Sequence, residues 1–333
     1  MICIFSKKDY TNDVKEGMVM ANMQKVAVIG CGFVGATSAF SLIQSGMFSE
    51  MVLIDANKQK AEGEAMDLNH GSAYSTPMKI YAGDYDDIVD AGLIVITAGA
   101  NQKPNETRLD LVKKNVSIFK SIIPEIKNRN CEGILLIVSN PVDILTYVAL
   151  KLSDFPANRV IGSGTVLDTA RLKYVLGQHL EVDSRNVHAY IIGEHGDSEL
   201  AVWSGAQVSG IHINHFCELR GHFNHQEAMD RLYQEVRDSA YEIIERKGAT
   251  YYGVAVAVRR IAEAIVKNQH AVLPVSSLMQ GQFGLENLCL SIPTVVGQNG
   301  VEMVVDIYLN NEENEKLQSS AKALKEVLKD LDL

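Results

Sequence analysis

Between residues 25 and 163, short apolar runs alternate with stretches whose apolar positions recur at helical spacing. The runs lie at 25–30, 51–55, 78–82, 93–98, 134–139 and 160–162, are rich in Val and Ile, and largely lack in/out alternation. Parallel strands read this way because helices cover both faces of their sheet and leave no solvent side to keep polar. The stretches between them, such as 35–44, 109–127 and 141–152, read as crossover helices, with Pro141 where a first helical turn tolerates proline. Six strands joined by such helices predict an α/β fold, a doubly wound parallel sheet of the Rossmann kind, with its ligand off the carboxyl ends of the strands.

After residue 163 the pattern changes. A helix is expected at 167–178, an extended run at 187–192, and long helices at 226–246 and 251–267. Extended runs follow at 271–279, 289–296 and 301–306, and a polar-faced helix at 312–331 closes the chain. The expected organisation is an N-terminal extension (1–22), a dinucleotide-binding Rossmann domain (23–163) and an α+β substrate domain (164–333) packed beside it. Residues 1–22 carry Asp9, Asp13 and Glu16 without a long apolar stretch, so they do not read as a secretory signal; Met18, Met20 or Met23 would each serve as a start.

Composition narrows the function. The 333 residues suffice for two cores, and 47% hydrophobic with 22% charged content is ordinary for a globular protein. A net charge of −10 without a basic stripe argues against nucleic acid. No apolar run reaches the roughly 18–20 residues of a membrane span. Five scattered cysteines (Cys3, Cys31, Cys131, Cys217, Cys289) without C-x-x-C spacing read as reduced thiols of a cytoplasmic protein.

The first motif with chemistry is Gly30-Cys31-Gly32-Phe33-Val34-Gly35, a G-x-G-x-x-G between a strand and a helix. Gly30 permits the tight turn, Gly32 lets backbone approach a pyrophosphate, and Gly35 lets helix and strand pack closely. Asp55 ends the second strand, where a carboxylate accepts from ribose hydroxyls and repels a 2′-phosphate, which favours NAD over NADP. The second is Gly193-Glu194-His195-Gly196-Asp197, which presents one histidine between glycines at a strand end, a placement suited to a general acid/base. In Leu167-Asp168-Thr169-Ala170-Arg171, Asp168 and Arg171 share a helix face at i,i+3, although an ordinary surface ion pair would read the same way. The polar loop 99–109 leaves the carboxyl end of the fourth strand and is placed to act as a lid, and Ser139-Asn140-Pro141 follows the next strand.

Together with Val52-Leu53-Ile54-Asp55, these motifs resemble the L-lactate/L-malate dehydrogenase family, and within it the bacterial L-lactate branch, from about Met23 to the C-terminus. The resemblance implies NAD as cofactor, reversible oxidation of a 2-hydroxy acid, and a cytoplasmic homo-oligomer, a tetramer, of glycolysis and fermentation. It assigns acid/base catalysis to His195, support of that imidazole to Asp168, the substrate-carboxylate grip to Arg171 and carbonyl polarisation to Arg108. Around the cofactor it places Gly30, Gly32, Phe33, Val34, Gly35, Asp55, Thr97, Ala98, Gly99, Val138, Asn140, Ser163 and Val254, with Gln102, Asn140 and Thr250 toward the substrate. No metal is called for, since charged side chains do the polarising.

Substrate choice falls to the group on the third carbon. Where malate enzymes of the family place an arginine this chain has Gln102, a neutral amide that cannot neutralise a second carboxylate, so pyruvate and lactate are expected over oxaloacetate and malate. Malate or a branched 2-hydroxy acid is the rival reading within this chemistry. Outside it stand an NAD-using glycoside hydrolase, which needs a metal-binding Cys/His pair, and a non-enzymatic NAD-binding protein, which has no use for both arginines. The family's fructose 1,6-bisphosphate site corresponds to Lys173 and His188; lysine lacks the bidentate fork, so weak or absent activation is expected. The run His212, His215, Cys217, His222, His225 mimics metal spacing but offers no closed tetrahedral set and reads as surface histidines.

Overall fold

The protein is described by a computed structural model covering residues 20–100 and 108–331, with Arg108 described in its backbone only. Gln102 and Cys3 lie outside the described residues, as does the extension up to residue 19. The first half runs β1 (Asn22–Ile29), α1 (Phe33–Ser45), β2 (Glu50–Ile54), α2 (Lys58–His70), β3 (Lys79–Ala82), β4 (Ala91–Ile96), α3 (Arg108–Asn128), β5 (Ile134–Ile137), α4 (Val142–Ser153) and β6 (Val160–Gly162). All six expected strands are present, shifted by a few residues at their ends. Pro141 caps α4 from outside rather than sitting in its first turn. Helix α2 went unpredicted: only Ala61 and Ala65 are buried on it, too little apolar signal to mark a face.

The second half runs α5 (Val166–Leu180), β7 (Val187–His188), β8 (Ile191–Ile192), β9 (Leu200–Ala201), β10 (Gln207–Val208), β11 (Ile211–His212), α6 (Ile213–Leu219), α7 (His225–Lys247), α8 (Tyr252–Val266), β12 (Ala271–Gln280), β13 (Glu286–Gly297), β14 (Gly300–Val304) and α9 (Asn311–Lys329). The single extended run expected at 187–192 is two short strands: β7 joins β10 and β11, and β8 pairs with β9. Thr165, which caps α5, and Thr169 within it take the backbone groups at the break, with Thr165 donating to the Ile191 carbonyl at 2.6 Å and Ile191 N–H donating to the Thr169 hydroxyl at 2.9 Å.

Among the described residues, nine strands form one sheet in the order β14-β13-β12-β6-β5-β4-β1-β2-β3. The six N-terminal strands are parallel, and β12–β14 continue the sheet antiparallel beyond β6. The sheet therefore runs across residue 163, and the two halves do not lie side by side as separate layers. Alternate strand residues serve two cores. Ala27, Ile29, Ile94, Ile96, Leu135 and Ile137 face one that Phe119 and Ile123 of α3 and Leu317 of α9 share. Val26, Val28, Leu93, Val95 and Ile161 face the other, closed by Leu42 of α1 and by Val258, Ile261 and Ile265 of α8. Both kinds of position are fully buried, so no alternation could show in the sequence.

Candidate active site

The registers align the carboxyl ends of the parallel strands. Ile29 lies opposite Ile54 and Ile96, Ile96 opposite Ile137, and Ile137 opposite Gly162. The next residue of each strand is Gly30, Asp55, Thr97, Val138 and Ser163. Five expected cofactor positions thus form one row along the sheet edge. The strand order reverses between β1 and β4, the switch point at which such sheets bind nucleotides.

At this edge Gly30 has φ +99°, and a Cβ there would come within 2.5 Å of the Ala98 nitrogen. A Cβ on Gly35 would stand 1.8 Å from the Gly30 carbonyl oxygen. Around Gly32, which caps α1 without a side-chain hydrogen bond, a Cβ would meet nothing within 4 Å. Open space at an uncapped helix N-terminus, with unpaired N–H groups pointing into it, fits the pyrophosphate of a dinucleotide. Asp55 accepts from the N–H of Cys31 at 2.7 Å and of Asn57 at 2.8 Å, so its carboxylate fastens the loop while standing at the ribose position. Thr97 donates to the Gly30 carbonyl at 2.7 Å.

Asp168 lies in the first turn of α5 and is 2% exposed. Its Oδ2 meets His195 Nδ1 at 2.5 Å, and its Oδ1 accepts from Arg171 Nη1 at 2.8 Å. The helix spacing that read equally well as a surface pair is therefore a buried bridge between imidazole and guanidinium. Gly193 (φ +92°) and Gly196 (φ +151°) bracket the histidine in conformations that side chains rarely adopt. Its other anchor is Asp143 on α4, which accepts from the His195 N–H at 2.7 Å and from Ser276 Oγ at 2.6 Å.

Burial pulls the His195 imidazole down, but the charge and hydrogen bond of Asp168 more than offset this, and its pKa is raised to about 9. Asp168 is the converse: burial pushes its carboxyl up, while His195 and Arg171 hold it below the usual carboxylate range. The His195 ring keeps 25% of its side-chain surface open, toward a cavity of about 470 Å³. Asp168, Arg171, Asn140, Glu199 and Arg237 also line that cavity. A proton-exchanging imidazole beside a guanidinium suits a small acid whose carboxylate is gripped while a neighbouring oxygen gains or loses a proton.

Four residues of the site were not anticipated. Asn115 of α3, 2% exposed, accepts from the Ala100 N–H at 2.8 Å and donates to the Asn140 carbonyl at 2.7 Å, tying the loop after β4 to the turn after β5. It stands on the buried stripe Val112, Val116, Phe119, and a polar residue on an apolar stripe was its available signal. Asp143 lies in the first turn of α4, where an acid is favoured by the helix dipole whatever its task. Glu199 and Arg237 left no local trace at all.

Thr250 is half-buried in the turn between α7 and α8 and is not among the residues lining the His195 cavity. The next residue, Tyr251, stacks on Phe33 with ring centroids 5.4 Å apart, with Lys247 Nζ 3.5 Å from the Tyr251 centroid, so this turn leans on the glycine loop. Val254 packs beside the core of α1 and α8. Lys173 is half-buried on α5, its amine lowered by burial and by the charge of Arg260, and His188 is exposed on β7, which packs on α5. Of the histidine run, His212 accepts from the Asn214 N–H, His222 packs at a tilt against His179, His215 and His225 face Glu218, and Cys217 is buried. Among the described residues, the possible metal ligands that converge are instead Asp168, His195 and Glu199, within 4.8 Å of one another.

The chain matches the family model described as lactate/malate dehydrogenase, NAD binding domain, over residues 24–162, and the alpha/beta C-terminal domain of the same family over residues 165–332. It is 56% identical over 311 residues to L-lactate dehydrogenase of Acetivibrio thermocellus, covering 93% of this chain and 98% of that one. With L-lactate dehydrogenase 1 of Clostridium acetobutylicum it shares 52% over 309 residues, covering 93% and 99%. The crystal structure of a minor L-lactate dehydrogenase from Enterococcus mundtii, in a ligands-bound form, superposes with a TM-score of 0.90 at 44% identity, covering 93% of this chain and 99% of that one.

Proposed function

The chain belongs to the lactate/malate dehydrogenase family, and on that premise we propose that it is an NAD-dependent L-lactate dehydrogenase, interconverting (S)-lactate and pyruvate. The observation that supports this reading most directly is the buried Asp168 carboxylate held between His195 and Arg171 on one cavity wall.

Gly30, Gly32, Phe33, Val34 and Gly35 would hold the pyrophosphate at the α1 N-terminus, and Asp55 the ribose. Thr97, Ala98, Gly99, Val138, Asn140, Ser163 and Val254 would flank the nicotinamide. When bound, the dinucleotide supplies or takes up the hydride at the 2-carbon of the substrate. Because Nδ1 of His195 is committed to Asp168, Nε2 is the nitrogen that exchanges a proton with the substrate oxygen. In pyruvate reduction the imidazolium protonates the forming alkoxide; in lactate oxidation the imidazole takes the hydroxyl proton. Arg171 spends one of its five donors on Asp168 and turns its fork to the carboxylate, fixing the 2-carbon. Arg108 polarises the carbonyl, a contribution on the order of 3–4 kcal/mol to the transition state for a donor of this kind.

Gln102 favours pyruvate because it brings no charge to meet a second carboxylate. The test is NADH oxidation with pyruvate and with oxaloacetate at neutral pH. A kcat/KM preference for pyruvate of about a hundredfold, some 2.7 kcal/mol, supports the reading. Preference for oxaloacetate refutes it and points to Arg237, the second arginine among the described residues lining the cavity, as the second anchor.

We place the enzyme in the cytoplasm, supported by the four cysteines among the described residues, all free and buried, and note that no described helix is long and apolar enough to cross a membrane. Exposed Phe40, Tyr252 and Val256 support a homo-oligomer, for which a tetramer is our proposal. Fructose 1,6-bisphosphate should activate weakly or not at all, since Lys173 is half-buried and offers only a point charge.

A further inference from the structure

Glu199 is a buried carboxyl beside the acid–base pair that the chemistry above leaves unused. It is 7% exposed, and among the described residues its Oε1 has no hydrogen-bond partner. One of its oxygens lies within 4.8 Å of ligand atoms of both Asp168 and His195. It also occupies a wall between two cavities. One is the His195 cavity of about 470 Å³; the other, of about 820 Å³, lies between α7 and α9, and Arg237 lines both. An unpaired buried acid is costly wherever it has no task, because a group without a partner forfeits its hydration.

We propose that Glu199 is the group through which His195 exchanges its proton with solvent in the second cavity. The inference rests on the acid/base role of His195 given above. After pyruvate reduction the imidazole has lost its Nε2 proton to the alkoxide. The Glu199 carboxyl O–H breaks and the Nε2–H bond re-forms, directly or through a bridging water. The carboxylate left behind takes a proton from hydronium in the second cavity. In lactate oxidation each transfer runs backward, and no electrons move.

The groups facing Glu199 suit this task. From α5 come Asp168 and Arg171, from its own loop His195, and from α7 Arg237 and Tyr233, whose hydroxyl donates to the Glu199 backbone carbonyl. Burial and the Asp168 charge push the carboxyl up while His195, Arg171 and Arg237 pull it down, leaving a pKa of about 8. The acid is thus protonated at neutral pH, next to an imidazole raised to about 9, and the proton moves between them with little driving force either way. Across the second cavity stand Asp230 of α7 and Glu312, Glu313 and Lys316 of α9. Glu199 acts through His195 and is not assigned contact with substrate.

Glu199→Gln keeps size and burial and removes the transferable proton. With NADH binding intact by fluorescence, pyruvate turnover in dilute buffer should fall about tenfold in kcat with KM changed less than twofold. Added imidazolium should restore the rate, and Glu199→Asp should retain most of it. Wild-type kcat with no buffer dependence in Glu199→Gln overturns the proposal. A second measurement needs no variant: an infrared pH titration of the wild-type protein should show a carboxylic-acid C=O band disappearing as pH rises through about 8. A spectrum without it also overturns the proposal. Absence of pyruvate turnover in the wild type refutes the functional reading instead and leaves the infrared result to be judged by itself.

Discussion

Replacing Asp168 by Asn should move the pH limb of pyruvate reduction more than it lowers the rate at its optimum. In the intact site the Asp168 charge and hydrogen bond raise His195 to about 9 against the pull of burial. Without that charge, burial still lowers the imidazole while Glu199 and Asp143 still raise it, and it should fall back toward the ordinary histidine value of about 6.5. A full return is about 2.5 pH units, or roughly 3 kcal/mol at 1.36 kcal/mol per unit, and is the upper bound of the shift. At pH 6 both proteins carry mostly imidazolium, so the protonation loss is under about twofold; at pH 9 it approaches about 150-fold. The assay is kcat/KM for pyruvate from pH 5.5 to 10 at saturating NADH. A loss of equal size at every pH, with the limb still near 9, would refute the electrostatic argument and leave Asp168 only the role of orienting the ring. The same pair contributes to folding. His195, raised on folding, stabilises fully below its ordinary value and loses its share as pH rises through about 9. Asp168, lowered on folding, contributes above the ordinary carboxylate value of about 3.9 and loses its share as pH falls through its depressed one. The stability gap between wild type and Asp168→Asn should therefore be widest between about pH 4 and 6.5.

Gly35→Ala would drive a methyl to 1.8 Å from the Gly30 carbonyl, a backbone atom that cannot swing aside. Overpacking of this kind costs about 1–3 kcal/mol, and NADH affinity measured by fluorescence should drop tenfold or more; unchanged affinity would contradict the assigned closeness of loop and helix. Asn115→Ala would leave the Ala100 N–H and the Asn140 carbonyl without their partner. At about 1–3 kcal/mol for each unsatisfied group, urea unfolding should show a loss of about 2–4 kcal/mol; a loss below about 0.5 kcal/mol would mean that water replaces the amide.

What the sequence made legible was local. The parallel strands declared themselves because burial on both faces leaves continuous Val/Ile runs, and Gly30 and Asp55 followed from the motif at their ends, while Thr97, Val138 and Ser163 came from the family resemblance. What stayed hidden depends on partners far along the chain. Nothing in 271–304 says which edge its strands will join; the pairing of Ser276 with Gly162 is settled by sheet geometry. Thr165 and Thr169 break the 187–192 run from another helix. Asp143 takes its role from Ser276 and from the His195 backbone, and Glu199 from two cavity walls it meets only when folded. His195 was marked locally by its flanking glycines, whereas its pairing with Asp168 and Arg171 came from the family resemblance, since helix spacing alone read equally as a surface ion pair.

The continuity of the sheet and of the core beneath it bears on how this molecule can be taken apart. A fragment ending at residue 163 would keep the whole glycine loop, yet strip β6 of the β12 edge it pairs with and uncover the face of α1 that α8 closes. Such a piece presents a bare strand and an apolar helix flank to water, the usual starting point for aggregation. Transplanting the nucleotide-binding half onto another catalytic half, or expressing it by itself as a sensor, would thus require carrying α8 and β12–β14 along. The unit of exchange is the sheet with both its coverings, and the boundary written in the chain order is not where the protein divides.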